Sequence, residues 1–535
     1  MNACLLKKCF WLWMAVCLPL AFVSCSDKDD PREPEYIENS GQGEYTLAEA
    51  YINQFCYDQM SYYYLWWKDI NTKDWRLDDD PVDKIEEIRY KEDRWSMAIE
   101  NIKPYMDPGT AAQGTFGYDF VLYWADQSQK NLYAVVSMVY PGGPAEKAGL
   151  KRGSIIMKNG GKNIKNNSSD INALLTSPSL DLTVALSIDE LDTPANVKMN
   201  AVDMYLDPVI GEKVFDCGGK KVGYVFFNDF TMECNERLIE VARKFKSEGV
   251  TELILDLRYN GGGYVVTEEL LASLLAPEDN VKNGDLYQTQ VYNGTKYSEA
   301  LKDYYGPDYV NTYFKTKHEW TYDKKEYSYN TADANIGLTK IYALVSGSTA
   351  SASEAILVSM MPFLDVEIIG TKTVGKHCAG VMFPAEDYYQ GNEDYMAELK
   401  KKNPKEYQHM YDEYWKYFKG WKKYVGDWGL YVMISTYADK NGENACRPDG
   451  LVPHEEMDDS PIEPYPLGDD REALLRVALQ RAGYADFTPL PEEGTGSRAA
   501  MKNRLGESLP KQDEGWRIVL KPEIPMPFSS RALGW

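Results

Sequence analysis

The sequence predicts a multidomain chain of α/β and α+β class, and three observations carry that prediction. First, Lys340–Val345 reads as a short buried strand, Ala352–Met361 as a helix and Val366–Ile369 as a second strand, which together make one βαβ unit with parallel strands. Second, the apolar strand Leu253–Leu255 runs into the glycine triplet Gly261–Gly263. Third, 535 residues with 44% hydrophobic side chains suffice for about three domains with real cores. The formal charge of −24 argues against nucleic acid or an anionic membrane as a partner through general electrostatics.

In chain order, Lys7-Lys8 and the apolar run Cys9–Phe22 have the charge and length of a signal peptide (1–24), too short to span a bilayer comfortably. Its end, Phe22-Val23-Ser24-Cys25, resembles a lipobox, which implies lipidation of Cys25; Phe22 stands where Leu is usual, and a plain uncleaved anchor is the alternative. The acidic Ser26–Asp30 resembles the tag of surface-exposed Gram-negative lipoproteins, so the expected location is the cell envelope, at the outer membrane, on the surface or periplasmic side. Residues 25–43 form an acidic tether rich in Pro and Gly. Residues 44–105, with Leu47, Tyr51, Ile52 and Phe55 at helical spacing, predict a small helical domain. The cluster Tyr62–Trp67 would suit carbohydrate stacking, yet no sugar-site carboxylate pair accompanies it, which favours core packing.

Residues 110–204 read as a β-rich module. Val135–Val139 is apolar enough for a strand, and Pro141–Leu150 reads as a turn and short helix with a glycine stop. An α/β core is expected over 205–480, through the strand Val222–Phe227 and the helix Asn235–Lys246, with inserts at about 280–335 and 388–423 that wall a cleft. Pro404 should break the second insert's helical pattern. Gly429–Ser435 resumes the core, Asp469–Ala482 is a final helix, and 481–535 form a tail. Of nine cysteines, five lie in the body, an odd and scattered set that is neither a disulfide framework nor a zinc pattern; no metal or other cofactor is expected.

The chemistry concentrates in Thr349-Ala350-Ser351-Ala352-Ser353-Glu354 and, twenty-five positions after Ser351, Lys376 within Thr373-Val374-Gly375-Lys376. Ser351 falls at a strand-to-helix turn, where a hydroxyl can project. A serine becomes a nucleophile only when a base takes its proton, and a lysine serves only if burial keeps it uncharged. Lowering its pKa from about 10.4 to roughly 7–8 costs about 4 kcal/mol of unfavourable environment. Val374, Val381, Met382 and Phe383 are the apolar residues at hand.

These blocks resemble the signature of the C-terminal processing (tail-specific) serine peptidases. The resemblance covers about residues 110–480 and implies Ser351 as nucleophile, Lys376 as general base, and Glu354 and Thr373 as supporting residues. Asp256-Leu257-Arg258-Tyr259-Asn260-Gly261-Gly262-Gly263 is similar to the family's glycine loop. Backbone amides of Gly262, Gly263 and Ala352 are the expected oxyanion donors. Arg152–Gly160 resembles a PDZ signature with Ser154 in place of Asp. Phe116-Gly117-Tyr118 resembles the loop that holds a peptide's terminal carboxylate, so substrates with free C-termini are the implied partners. The family commonly carries a glutamine four residues after the lysine, where this chain has Gly380; His377 is the nearby alternative for orienting the amine. Two other readings remain: a catalytically weak peptide-binding lipoprotein of the same fold, supported by that missing glutamine, and a surface glycan-binding lipoprotein.

Overall fold

The computed structural model describes residues 44–490 apart from 73–74, 76–78, 104–110, 126–128, 295, 323–324, 413–419 and 463–464. The signal peptide, the tether with Cys25, and the tail beyond 490 lie outside the described residues.

The expected βαβ unit is present. A six-stranded sheet runs in the order Val209–Cys217, Lys220–Phe227, Val250–Asp256, Lys340–Val345, Asp365–Gly370, Glu455–Glu456. Its first pair is an antiparallel hairpin and every later pair is parallel. Buried on both faces, the parallel strands alternate their contacts. Ile341, Ala343 and Val345 face the helices Asn235–Ser247, Val265–Leu275 and Ala352–Met360, while Tyr342 and Leu344 face the helix Ala473–Ala482. That last helix starts four residues later than its sequence suggests, because Glu472 caps it by accepting from the Leu475 N–H at 2.9 Å.

Gly429–Asp439 joins a second sheet rather than the parallel one. It pairs antiparallel with Met97–Ile99, Leu286–Tyr292 and Cys378–Pro384. The stretch read as the first inserted lobe thus contributes two strands to this sheet, Leu286–Tyr292 and Asn311–Tyr313, and only its hairpin Lys317–Tyr322/Lys325–Asn330 stands as a separate pair. The N-terminal helices Glu44–Tyr63 and Pro81–Ile88 share one apolar cluster with this sheet and with the helix Ala385–Lys402. Their aromatic residues are interior: Tyr51 stacks on Tyr424 with centroids 5.2 Å apart, and Tyr389 donates to the Tyr51 carbonyl at 2.7 Å. The expected break falls at Asn403, with Pro404 opening the next helix.

The β-rich module is an antiparallel sheet in the order Tyr118–Trp124, Leu132–Val139, Ile155–Asn159, Ser179–Ala185, Ala195–Asn200. Arg152 ties it to the core, donating to the Tyr259 hydroxyl at 2.6 Å and to Asp459 at 2.5 Å. All five body cysteines are buried and unbridged.

Candidate active site

Ser351 occupies the turn between Lys340–Val345 and the helix Ala352–Met360, at φ 57° and ψ −117°. Apart from Gln129 it is the only described non-glycine residue at positive φ, a conformation that costs on the order of 1–3 kcal/mol and persists only where its surroundings impose it. Those surroundings are largely Asn260. Its carbonyl accepts from the Ala350 N–H and the Ser353 hydroxyl, both at 3.1 Å, and its side-chain amide donates to the Phe227 carbonyl at 3.0 Å. Thr349 adds a bond to the Leu257 carbonyl at 2.8 Å. The glycine loop and the serine turn are therefore one hydrogen-bonded body.

Gly262 is where they touch. Its φ is +103°, and a Cβ there would sit 2.7 Å from the Ser351 Cβ and 2.8 Å from the Ala350 carbonyl, so glycine alone allows this approach. The Gly262 N–H, expected as an oxyanion donor, is committed elsewhere: it donates to Asn260 Oδ1 at 2.8 Å. The amides of Gly263 and of Ala352, the first residue of the helix, have no acceptor among the described residues.

Glu354 ties Ser351 to the lysine loop. One carboxylate oxygen accepts from the N–H of Ser351 at 2.9 Å and of Lys376 at 2.8 Å; the other accepts from the Gly375 N–H at 2.7 Å and from the Thr373 hydroxyl. Burial pushes the Glu354 carboxyl up, and these donors oppose that push. Thr373 also accepts from the Leu451 N–H at 2.7 Å, which fixes the strand exit against the following loop.

Lys376 is 3% exposed, and its Nζ donates to the Tyr431 hydroxyl at 3.2 Å. Tyr431 is the residue that sequence reasoning missed. It projects from Gly429–Asp439 across Gly380, where an added Cβ would lie 2.7 Å from the Tyr431 ring and 2.2 Å from Met433. The position that carries glutamine in the family is thus emptied to make room for a tyrosine from the facing strand. Burial holds the Tyr431 hydroxyl well above its ordinary pKa, so it stays protonated as an acceptor for the amine. Gly380 was the available signal, since a vacancy opposite an aromatic strand residue invites substitution of one orienting group for another. His377 turns back on its own loop, with Nδ1 3.2 Å from the Gly375 carbonyl. Cys378 is buried and its thiol is pushed far up by desolvation, which leaves it inert as a nucleophile. Tyr431→Phe is expected to lower kcat by about 10–100-fold with little change in KM or melting temperature, while Gly380→Ala, which displaces the ring, adds about 1–3 kcal/mol of strain; steady-state kinetics and thermal melts check both.

A small cleft of about 30 Å³ adjoins Ser351. Gln288 and Gln290 line it, so the first stretch read as an insert walls the site; no described residue of the second, 388–423, lines it, contrary to expectation. Phe116 and Tyr118 lie at a distance in sequence and serve the β-rich module's own core, being 1% and 3% exposed, with the Tyr118 hydroxyl on the Leu174 carbonyl at 2.8 Å. The Gly117 N–H donates to the Thr115 hydroxyl at 3.1 Å. What this loop has to offer a ligand is therefore backbone and the edge of Tyr118–Trp124, which among the described residues pairs on one side only.

Comparison with known proteins finds similarity in both sequence and fold. Residues 221–457 match the model of Peptidase family S41. The Staphylococcus aureus protein named "Probable CtpA-like serine protease" is 24% identical over 291 residues, 54% of this chain and 50% of that protein. A carboxyl-terminal-processing protease of Picosynechococcus is 24% identical over 254 residues, 47% of this chain and 53% of that one. The chain spans about half the length of these curated relatives. In fold it resembles a provisionally assigned S41 protease structure from Bacteroides fragilis, with a TM-score of 0.58 at 23% identity, covering 81% of this chain and 97% of that one. Residues 221–457, which hold the glycine loop, the serine turn and the lysine loop, are the part of this chain that is similar to peptidase family S41.

Proposed function

We propose that this protein is a serine endopeptidase of the C-terminal-processing type, with Ser351 as nucleophile and Lys376 as general base. The observation that carries the reading is Glu354, whose one carboxylate oxygen holds the backbone N–H of both residues. The uncharged amine of Lys376 takes the Ser351 hydroxyl proton as Oγ attacks the peptide carbonyl. One amine N–H rests on Tyr431, which aims the lone pair. The amides of Gly263 and Ala352 receive the developing oxyanion. The ammonium then returns its proton to the leaving amine, and water repeats the sequence on the acyl-enzyme.

Substrate choice follows from the β-rich module, which resembles a PDZ domain and leaves one strand edge open, so that a free C-terminus is held by strand addition and the chain beyond it reaches Ser351. The names of the curated relatives support this class of substrate. Lipidation at Cys25, proposed from the sequence, would tether the enzyme to the outer membrane of a Gram-negative type envelope.

Casein incubated with wild type, Ser351→Ala and Lys376→Ala tests the mechanism. Both variants are expected to lose at least about 10⁴-fold in kcat/KM, and equal cleavage by all three would eliminate the dyad. Amidating the C-terminus of a peptide substrate should weaken its binding, and Cys25→Ser should move the protein from the membrane to the soluble fraction; indifference in either assay removes that part of the proposal.

A further inference from the structure

The cleft beside Ser351 holds a buried carboxylate that the proposed mechanism does not use. Glu268, on the helix Val265–Leu275, is 1% exposed and lines the cleft. One of its oxygens accepts from the Tyr287 hydroxyl at 3.1 Å; the other, Oε1, is buried and has no donor. An unpaired buried carboxylate oxygen is among the most costly groups a fold can carry, and a leucine or methionine would pack in the same place without that cost.

Its neighbours are also rich in acceptors. The Gln288 side-chain amide spends its Nε2 on the Ser359 hydroxyl at 3.0 Å, which leaves its carbonyl oxygen. The Gln290 carbonyl oxygen accepts from Tyr292 at 2.6 Å and Ser435 at 3.4 Å. The walls nearest the serine are small: Ala352 and Ala355 from the nucleophile helix and Ala379 from the lysine strand. Among the described residues, no lysine, arginine or histidine lines the cleft. A small-walled cleft with one unanswered carboxylate oxygen, a free Gln288 carbonyl and no cation of its own is complementary to a side chain that ends in N–H donors and a positive charge.

We infer that this cleft receives the lysine or arginine side chain of the substrate residue adjoining the bond that Ser351 cleaves, its terminal N–H groups donating to Glu268 Oε1 and the Gln288 carbonyl. This rests on the peptidase reading of Ser351 and adds a specificity to it. Burial, with help from the neighbouring Glu269, raises the Glu268 pKa to about 8, in keeping with a carboxyl that lacks its cation in the empty site.

Two experiments separate this inference from the peptidase reading. The fluorescent cation p-aminobenzamidine is titrated against wild type, Ser351→Ala and Glu268→Gln, an assay that needs no hydrolysis. Binding to the first two with similar affinity and at least tenfold weaker to Glu268→Gln supports the cleft; no binding, or equal binding to all three, overturns it. Separately, the fragments that wild type releases from casein are mapped by mass spectrometry. Lysine or arginine is expected beside the cleaved bonds at several times its abundance in casein, and cleavage without that enrichment overturns the inference while leaving the peptidase reading intact. If casein is uncut, the peptidase reading fails and the titration alone judges the cleft.

Discussion

Glu354→Ala is expected to abolish measurable cleavage and to cost about 4 kcal/mol or more of stability. The substitution strands four buried donors at once: the N–H groups of Ser351, Gly375 and Lys376 and the Thr373 hydroxyl. Each buried donor left without an acceptor costs about 1–3 kcal/mol, less whatever an entering water recovers. The loss of activity has a separate cause. Ser351 and Lys376 come from two different loops, and the shared carboxylate oxygen is what holds their backbones less than two hydrogen-bond lengths apart. Without it the strained turn at Ser351 relaxes and the serine and lysine loops lose their common anchor. Glu354→Gln sharpens the test, because its NH₂ group must face at least one of the donors that the carboxylate accepted. It should fold better than the alanine variant and yet lose about 10²–10³-fold in kcat. Urea unfolding with kinetics on the same preparations reads both effects; a Glu354→Ala enzyme that keeps wild-type kcat would remove the carboxylate from its proposed role.

The parts of this site that were legible in the sequence are those written in local pattern. The apolar run Lys340–Val345, the helix after Ser351 and the strand Asp365–Gly370 announce themselves through burial and length, and the structure pairs the two strands in parallel as expected. The expected helix at Asn235 is likewise present, ending at Ser247. What pattern could not supply is the identity of partners across the fold. Leu286–Tyr292 lacks clean alternation because its neighbours on both sides are polar and aromatic, so it read as part of a lobe when it is a strand paired to Gly429–Asp439. Tyr431 sits fifty-five residues from Lys376 and meets it only through the pairing of Cys378–Pro384 with Gly429–Asp439, a register fixed by tertiary packing. The glycine triplet read correctly as a turn, yet the division of labour within it depends on Asn260, whose side chain takes the Gly262 amide and so shifts the open donors to its neighbours.

Arg258→Met is expected to destabilise the protein by about 3–5 kcal/mol at neutral pH, although the residue touches no part of the proposed reaction. Arg258 is fully buried and neutralises three carboxylates: Asp256 at 2.8 Å, Asp459 at 2.9 Å and Glu472 at 2.7 Å. Burial alone would raise all three carboxyls. For Asp459 and Glu472 the arginines more than reverse that effect and hold both below their ordinary values, whereas at Asp256 burial prevails. Groups held low in the folded state contribute stability that is present above their unfolded pKa, about 4, and is lost as pH falls through the folded value. Removing Arg258 reverses the sign, since Asp256 and Glu472 are then left buried without their paired cation and are raised, while Asp459 keeps Arg152, and the variant is relieved as the first two protonate. The gap between wild type and variant should therefore be widest near pH 7.5 and close towards pH 4, which melting curves at the two ends would show; a gap independent of pH would mean that Arg258 acts through packing alone. The consequence for the site is direct, because the Arg258 carbonyl accepts from the Ser346 hydroxyl at the head of the turn that carries Ser351, and Asp459 joins Arg258 to Arg152 of the β-rich module. One buried cation thus sets the loop that presents the glycines, the turn that presents the serine, and the seat of the module that would bring the substrate.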